Sequence, residues 1–272
     1  MSNTPTPIHD TARPTQTRAK LSVIVVAMNE AHDIRDCIES VRGLATETIV
    51  FDSGSTDGTP ELCRSLGARV FETDWPGDGP QKNRALAVAE GDWVLCLDAD
   101  ERVSDELRAE ITHLLEHGSQ HAAFSTPRRS SFCGRFMKHS GWWPDRIERL
   151  FRRGNAQFTN VRTHTHLEID GTVGRFDGPI IHIAITELEE ALDKANSYST
   201  SGALTMAEKG IRSSLGKAIL KGWWAFIRTY VIKLGFLDGS QGFMLSVTNA
   251  EGTYYRYAKL ALMNRSTRKD NT

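Results

Sequence analysis

Cysteine is sparse in this chain of 272 residues, and its four copies (Cys37, Cys63, Cys96 and Cys133) include no C-x-x-C pair. That spacing excludes a zinc ribbon and a thioredoxin-type redox site. Three of the four sit in apolar or helical contexts and read as small buried residues of a protein kept in a reducing cytoplasm. No uninterrupted apolar run reaches the roughly 18 residues of a membrane span. An excess of one charge is also missing. Lys and Arg total 33 against 34 Asp and Glu, a net charge of −1, so bulk charge gives no argument for a nucleic-acid partner. Residues 1–20 are rich in Thr, Pro and Arg and lack an apolar centre; they read as a disordered tail rather than a secretory signal.

What is present is a strand–helix alternation. Leu21 to Ala27 (LSVIVVA), Thr48 to Phe51, Ala68 to Phe71 and Trp93 to Leu97 (WVLCL) are short apolar runs of the kind found in buried parallel strands. Helical patterns follow at Ala31 to Arg42, Thr59 to Leu66, Pro80 to Ala89 and Glu106 to His117. The alternation predicts an α/β fold with a mostly parallel sheet and right-handed crossovers. Ligands of such sheets bind beyond the carboxyl ends of the strands. Three polar clusters directly follow strands and should meet there: Asn29-Glu30, Asp52 to Asp57, and Asp98 to Glu101. From 122 to 185 the pattern turns to short strands and loops, and from Glu187 it is helical. The expected organisation is a tail over 1–20, an α/β domain over 21–185 and a helical region over 186–272.

Asp98-Ala99-Asp100 is the sharpest chemical signal. Two carboxylates at a strand end suit a hard divalent cation, Mn²⁺ or Mg²⁺, that takes its remaining ligands from water and substrate phosphates. The same triplet also suits a solvated turn that caps the next helix. The Ser53-Gly54-Ser55-Thr56 loop after Asp52 can offer backbone N–H groups to an anion. Lys82 and Arg84 can offset diphosphate charge, or simply form an exposed basic face.

With these residues in place, the stretch VIVVAMNEAHDIRDCIESV…IVFDSGSTDGT…GPQKNRALAVAEGDWVLCLDADE resembles the nucleotide-sugar domain of family 2 glycosyltransferases, of the GT-A fold. The later stretches GWWPDRIERLF, LDKANSYS and FIRTYVIKLGFLDGSQGF are similar to lipopolysaccharide core glycosyltransferases of the inner-core β-1,4-glucosyltransferase group. The resemblance covers residues 20 to 262. It implies an inverting transfer from a UDP-sugar to a saccharide or glycolipid acceptor. By position, Asn29, Glu30 and Ser53 would border the nucleotide, Asp52 the uracil, Lys82 the base and diphosphate, Asp98 the ribose side, and Asp100 the metal. Two other functions compete: a sugar nucleotidyltransferase, which would need a Gly-rich basic loop where this chain has Ala27-Met28-Asn29-Glu30, and a non-catalytic nucleotide-sugar binder.

The general base is where the chain departs from that group. Relatives often read V-H-E before a short strand ending in D-G; here the run is Thr163-His164-Thr165-His166-Leu167-Glu168-Ile169-Asp170-Gly171. A threonine hydroxyl stands where the carboxylate is expected. His164, Glu168 and Asp145 are the substitutes to weigh. A zinc site at His164-x-His166 is a further reading, with His182 either a third metal ligand or a core histidine.

Between Lys209 and Lys233 there are six Lys and Arg and no acid. On a helix Lys217, Lys221 and Arg228 form one stripe, with Ile219, Leu220, Trp223, Phe226 and Ile227 opposite. Such a helix suits the anionic inner face of the cytoplasmic membrane, or packs its apolar face on the catalytic domain. The basic run from Arg128 to Arg153 suits a phosphorylated acceptor or a solvated surface.

Overall fold

A computed structural model describes residues 18–160 and 165–269, with side chains to Asn264. The chain alternates as expected over its first half: β1 (Leu21–Ala27), α1 (Ile34–Ser40), β2 (Glu47–Asp52), α2 (Thr59–Ser65), β3 (Arg69–Glu72), α3 (Asp78–Ala87) and β4 (Trp93–Asp98). A short β5 (Glu101–Val103) precedes α4 (Asp105–His117), which starts where Ser104 accepts a hydrogen bond from the Leu107 N–H. Then come β6 (Ala123–Phe132), β7 (Arg135–Phe136), β8 (Asp145–Arg152), β9 (Ala156–Phe158), β10 (Leu167–Ile169), β11 (Val173–Arg175) and β12 (Ile180–Ile185). Three helices close the chain: α5 (Leu188–Glu208), α6 (Leu215–Ile227) and α7 (Gly239–Lys269).

The main sheet runs β3-β2-β1-β4-β8-β6-β12-β5. Its first four strands are parallel, and β8 runs antiparallel between β4 and β6. Strands β1 and β4 are apolar on both faces because helices cover both. Val23, Val25, Leu95 and Leu97 pack with Ile34, Ile38, Leu107 and Ile111 on one side. Ile24, Val94 and Cys96 pack with Ala85, Phe151 and Phe158 on the other. This period-two division makes the strands near-continuous hydrophobic runs. Cys37, Cys63 and Cys96 are buried in these layers and Cys133 is half-buried; all four are free thiols.

The helical region docks on the far end of the sheet. Phe132 and Met137 pack against Ala191 of α5 and Leu245 of α7. Asp238, fully buried, accepts hydrogen bonds from the backbone N–H groups of Lys138 (3.1 Å) and His139 (2.9 Å). Among the described residues no helix is long and apolar enough to cross a membrane.

Part of the basic run from Arg128 to Arg153 is taken up by internal contacts, while Arg129, Arg135 and Lys138 stay exposed. Arg146 donates to the carbonyls of Ser125 and Phe176, Arg152 lies over Trp93, and Arg153 donates to the Gly91 carbonyl. Arg128 and Arg149 pair with carboxylates described below.

Candidate active site

Strand register brings the three polar clusters together. Ala27 pairs with Asp52, and Val26 with Asp98, so β1, β2 and β4 end side by side. The chain leaves β1 through Asn29, which holds a φ of 58°, a left-handed conformation that asparagine tolerates better than most residues. Asn29 Oδ1 accepts from the Thr56 N–H (2.8 Å), its own N–H donates to Ser55 Oγ (2.7 Å), and the Glu30 N–H donates to Thr59 Oγ1 (2.9 Å). Asp52 is buried, and its Oδ1 accepts from the N–H groups of Gly54 (3.0 Å) and Ser55 (2.9 Å). Its carboxylate therefore shapes the Ser/Gly/Thr loop, while the Ser53 hydroxyl accepts from Gln81 Nε2 (3.1 Å).

Beyond these strand ends lies a cavity of about 320 Å³, lined among others by Met28, Glu30, Trp75, Asp78, Asp98, Asp100 and His182. The two aspartates of the triplet differ in environment. Asp98 pairs with Lys82 Nζ (3.1 Å) and with Arg149. Burial opposes its ionisation, but Arg149 and Lys82 outweigh that and hold the carboxyl well below the usual range. Burial likewise opposes the charge on Lys82, and Asp98 overcomes it, keeping the ammonium charged. Lys82 also reaches Asp78 (3.0 Å). Lys82 and Arg149 are thus both committed to Asp98. Asp100 instead faces His182, with Nε2 3.3 Å from Oδ2, and the other ring nitrogen of His182 meets Ser130 Oγ at 2.8 Å. His182 is therefore a wall of the cavity rather than a core residue. Glu30 titrates near 7, raised first by burial and then by the like charges of Asp100 and Asp33.

Behind Asp98 the charges form a chain. Arg149 donates to Glu101 Oε1 (2.8 Å), Arg128 approaches the same oxygen (3.6 Å), and Arg128 Nε and Nη2 both donate to Asp145 Oδ2 (3.0 and 2.7 Å). Asp145 Oδ1 takes no part in that pairing. Arg84 turns away from the cavity to Asp74 (2.7 Å). Glu168 is exposed on the two-stranded sheet of β9 and β10, opposite Gln157. His164 lies outside the described residues, so the His164-x-His166 zinc reading does too. Thr165 packs at Gly79, beside the cavity-lining Asp78; a Cβ on Gly79 would meet Thr165 Cγ2 at 3.1 Å. Among the described residues, no three His, Cys, Asp or Glu side chains cluster as a ready-made metal cage.

Sequence reasoning missed Trp75, Asp78 and Arg149. Arg149 lay within the motif GWWPDRIERLF, but only the pairing of β8 with β4 places it behind Asp98. Nothing in the local pattern marks Trp75 or Asp78.

The sequence model of "Glycosyl transferase family 2" matches residues 22–172, which contain Asn29, Asp52, Lys82, Asp98, Asp100 and Asp145. The chain belongs to this family. This glycosyltransferase is 30% identical over 252 residues to the lipopolysaccharide core biosynthesis glycosyltransferase LpsC of Rhizobium meliloti, covering 88% of this chain and 91% of that one. It is 29% identical over 252 residues to an uncharacterized glycosyltransferase of Rickettsia prowazekii, covering 89% and 86%. Among solved structures it is similar to glucosyl-3-phosphoglycerate synthase of Mycobacterium tuberculosis in complex with Mn²⁺, UDP and glucosyl-3-phosphoglycerate. That match has 30% identity, 43% of this chain, 45% of the other and a TM-score of 0.33.

Proposed function

We propose that this glycosyltransferase transfers a sugar from a UDP-sugar, with inversion, to a saccharide of the cell envelope such as a lipopolysaccharide core. The observation that carries the reading is the cavity at the joined ends of β1, β2 and β4, where Glu30, Asp98 and Asp100 converge. The loop Ser53 to Thr56 and Asn29 border the nucleotide. The acceptor hydroxyl attacks the anomeric carbon as the bond to the diphosphate breaks, and the electron pair leaves on the diphosphate oxygen. The acceptor's proton passes to a base. Of the described candidates we assign the base to Asp145, whose second carboxylate oxygen stays outside its pairing with Arg128.

The donor set fits a divalent cation. Carboxylates outnumber free cations around the cavity, since Lys82 and Arg149 are spent on Asp98, and a diphosphate entering such a site needs added positive charge. Asp100 supplies oxygen and His182 nitrogen, a pair compatible with Mn²⁺ that leaves positions for phosphate and water. Bound there, the cation would stabilise charge developing on the diphosphate.

The helical region supports a membrane-surface role. On α6 the buried face is Ala218, Gly222 and Ala225, while Ile219, Leu220, Trp223 and Trp224 stand exposed near Lys217 and Lys221. Such a face suits anionic lipid at the inner leaflet.

UDP release from candidate donors, with and without acceptor and Mn²⁺, tests the reading. Release from at least one UDP-sugar is expected, and Asp100→Ala should abolish the metal-dependent affinity for UDP in calorimetry. Asp145→Asn should cut turnover by about a hundredfold or more while UDP still binds. No release from any nucleotide sugar would overturn the reading.

A further inference from the structure

A second cleft, of about 370 Å³, lies between the helical region and the sheet. Three cations line it: Lys194 of α5, Arg228 just after α6, and Arg256 of α7. Among the described residues no acidic side chain lines it. Trp142 and Tyr198 add aromatic walls. Among the described residues no carboxylate pairs with Arg228 or Arg256, whereas Lys194 pairs with Glu190 at 2.6 Å. The Arg256 Nε is buried without a hydrogen-bond partner, and buried guanidinium groups are costly to leave unmatched. The cleft is also shaped for this arginine. Its side chain crosses Gly202, where a Cβ would sit 2.7 Å from Nε.

The cleft adjoins the catalytic cavity. Strand β12 carries His182 into the cavity and Ile185 into the cleft, three residues and so about 10 Å farther along. Lys194 acts on Glu30 across this junction, its charge favouring the Glu30 carboxylate. A saccharide bridging the two would place one end at the reacting centre and the other among the arginines.

We propose that this cleft anchors an anionic group, phosphate or carboxylate, on the acceptor saccharide. The assignment to an acceptor rests on the transferase reading above; the assignment of an anion site does not. Arg228 and Arg256 form charge-assisted hydrogen bonds with the anion, and Trp142 and Tyr198 pack on the sugar next to it. The cleft therefore selects acceptors already charged by an earlier phosphorylation or uronic acid addition.

The test has a binding arm and a turnover arm. Glucose 6-phosphate, glucuronate and glucose are titrated into the whole protein by calorimetry, with Trp fluorescence as a second readout. The two anionic sugars should bind and glucose should not. Arg228→Gln and Arg256→Gln should each weaken binding about tenfold. Arg256→Lys should restore part of it, and exposed Arg228 serves as the variant that leaves packing intact. In turnover, lipid-free lipopolysaccharide core oligosaccharide is compared before and after phosphatase treatment, and with the intact lipid-linked form. KM for the phosphorylated forms should rise about tenfold in either arginine variant, with kcat and UDP affinity unchanged. Equal binding of all three sugars, or no change in any variant, would overturn the proposal. Binding that follows the arginines in a protein that never releases UDP would support the anion site and sink the transferase reading instead.

Discussion

Asp98 and Asp100 stand two positions apart and have different partners. Asp98 is neutralised by Lys82 and Arg149, so its carboxylate organises the cavity wall, while Asp100 is left facing the cavity beside His182. Glu30, on the neighbouring loop, feels the resulting negative field. Its pKa of about 7 in the folded protein exceeds the ordinary carboxylate value of 4.5. The folded state therefore holds this proton more tightly than the unfolded chain does. That contribution to stability is fully present below the ordinary value and is lost as pH rises through about 7. In metal-free buffer, Glu30→Gln should flatten the fall of Tm between about pH 5 and about pH 7.5 and leave the variant more stable than the parent near pH 8. Thermal melts across that range check it, and parallel profiles for the two proteins would count against the burial and charge placed on Glu30. Asp98 has the opposite sign. Its lowered pKa contributes stability above the ordinary carboxylate value, lost only as the solution is made strongly acidic. Thr165 gives a third residue-level outcome. Because it sits against Gly79 beside the cavity-lining Asp78, Thr165→Glu should fold and should raise turnover if this position carries a base in relatives. A steady-state assay beside Asp145→Asn separates the two positions.

At the level of elements, α6 is built with its large side chains outward. Small residues let it approach α7 closely; a Cβ on Gly222 would meet Tyr254 Cβ at 3.0 Å. The sequence stripe of Ile219, Leu220 and Trp223 reads equally well as core or as membrane face, and only the packing of Ala218, Gly222 and Ala225 shows which side is buried. Each exposed large apolar side chain gains about 1.5–3 kcal/mol on full burial, and each lysine near an anionic surface about 1 kcal/mol. Cosedimentation with phosphatidylglycerol vesicles at low salt should thus occur for the parent and fall sharply for Lys217→Glu with Lys221→Glu, and for Leu220→Ser with Trp223→Ser. Arg228 is left unchanged because it lines the anion cleft. A parent that ignores such vesicles, or buries Trp223 by self-association in solution, removes the membrane reading. The parallel strands were legible for a related reason. β1 and β4 are covered on both faces, so their sequences are apolar throughout. β6 was not legible, because its ten residues, AFSTPRRSSF, include polar side chains that are buried and satisfied by neighbours: Thr126 by the Gly178 carbonyl, Ser130 by His182. No period-two pattern survives that exchange. Asn29, Asp52 and Asp98 could be placed at one edge because each follows a strand directly. Arg149 could not, since its position depends on the antiparallel pairing of β4 with the distant β8, in which Leu95 meets Leu150.

At the scale of the whole molecule, Asp238 is a buried polar tie between the helical region and the α/β domain. It is 1% exposed and accepts from Lys138 N–H, His139 N–H and, at 3.2 Å, the His139 ring. It thereby ties the start of α7 to the loop between β7 and β8. Asp238→Ala removes the acceptor of two part-buried backbone donors, at about 1–3 kcal/mol each at most. For a chain of this size each kcal/mol lowers Tm by about 2–4 °C, so a fall of several degrees is expected. The damage should be local. Hydrogen exchange should quicken in residues 135–145 and 228–250 while β1 and β4, in the apolar layers, stay protected. Asn29, Asp52, Asp98 and Asp100 lie at and just beyond the ends of β1, β2 and β4, outside the segments that Asp238 ties together, so UDP affinity should hold. Turnover onto a large acceptor should drop, because the acceptor cleft is walled by α5 and α7. Equal loss of UDP affinity and turnover would mean that the helical region also supports the nucleotide side, through the contact of Lys194 with the field of Glu30, and that the two regions do not divide the substrates between them.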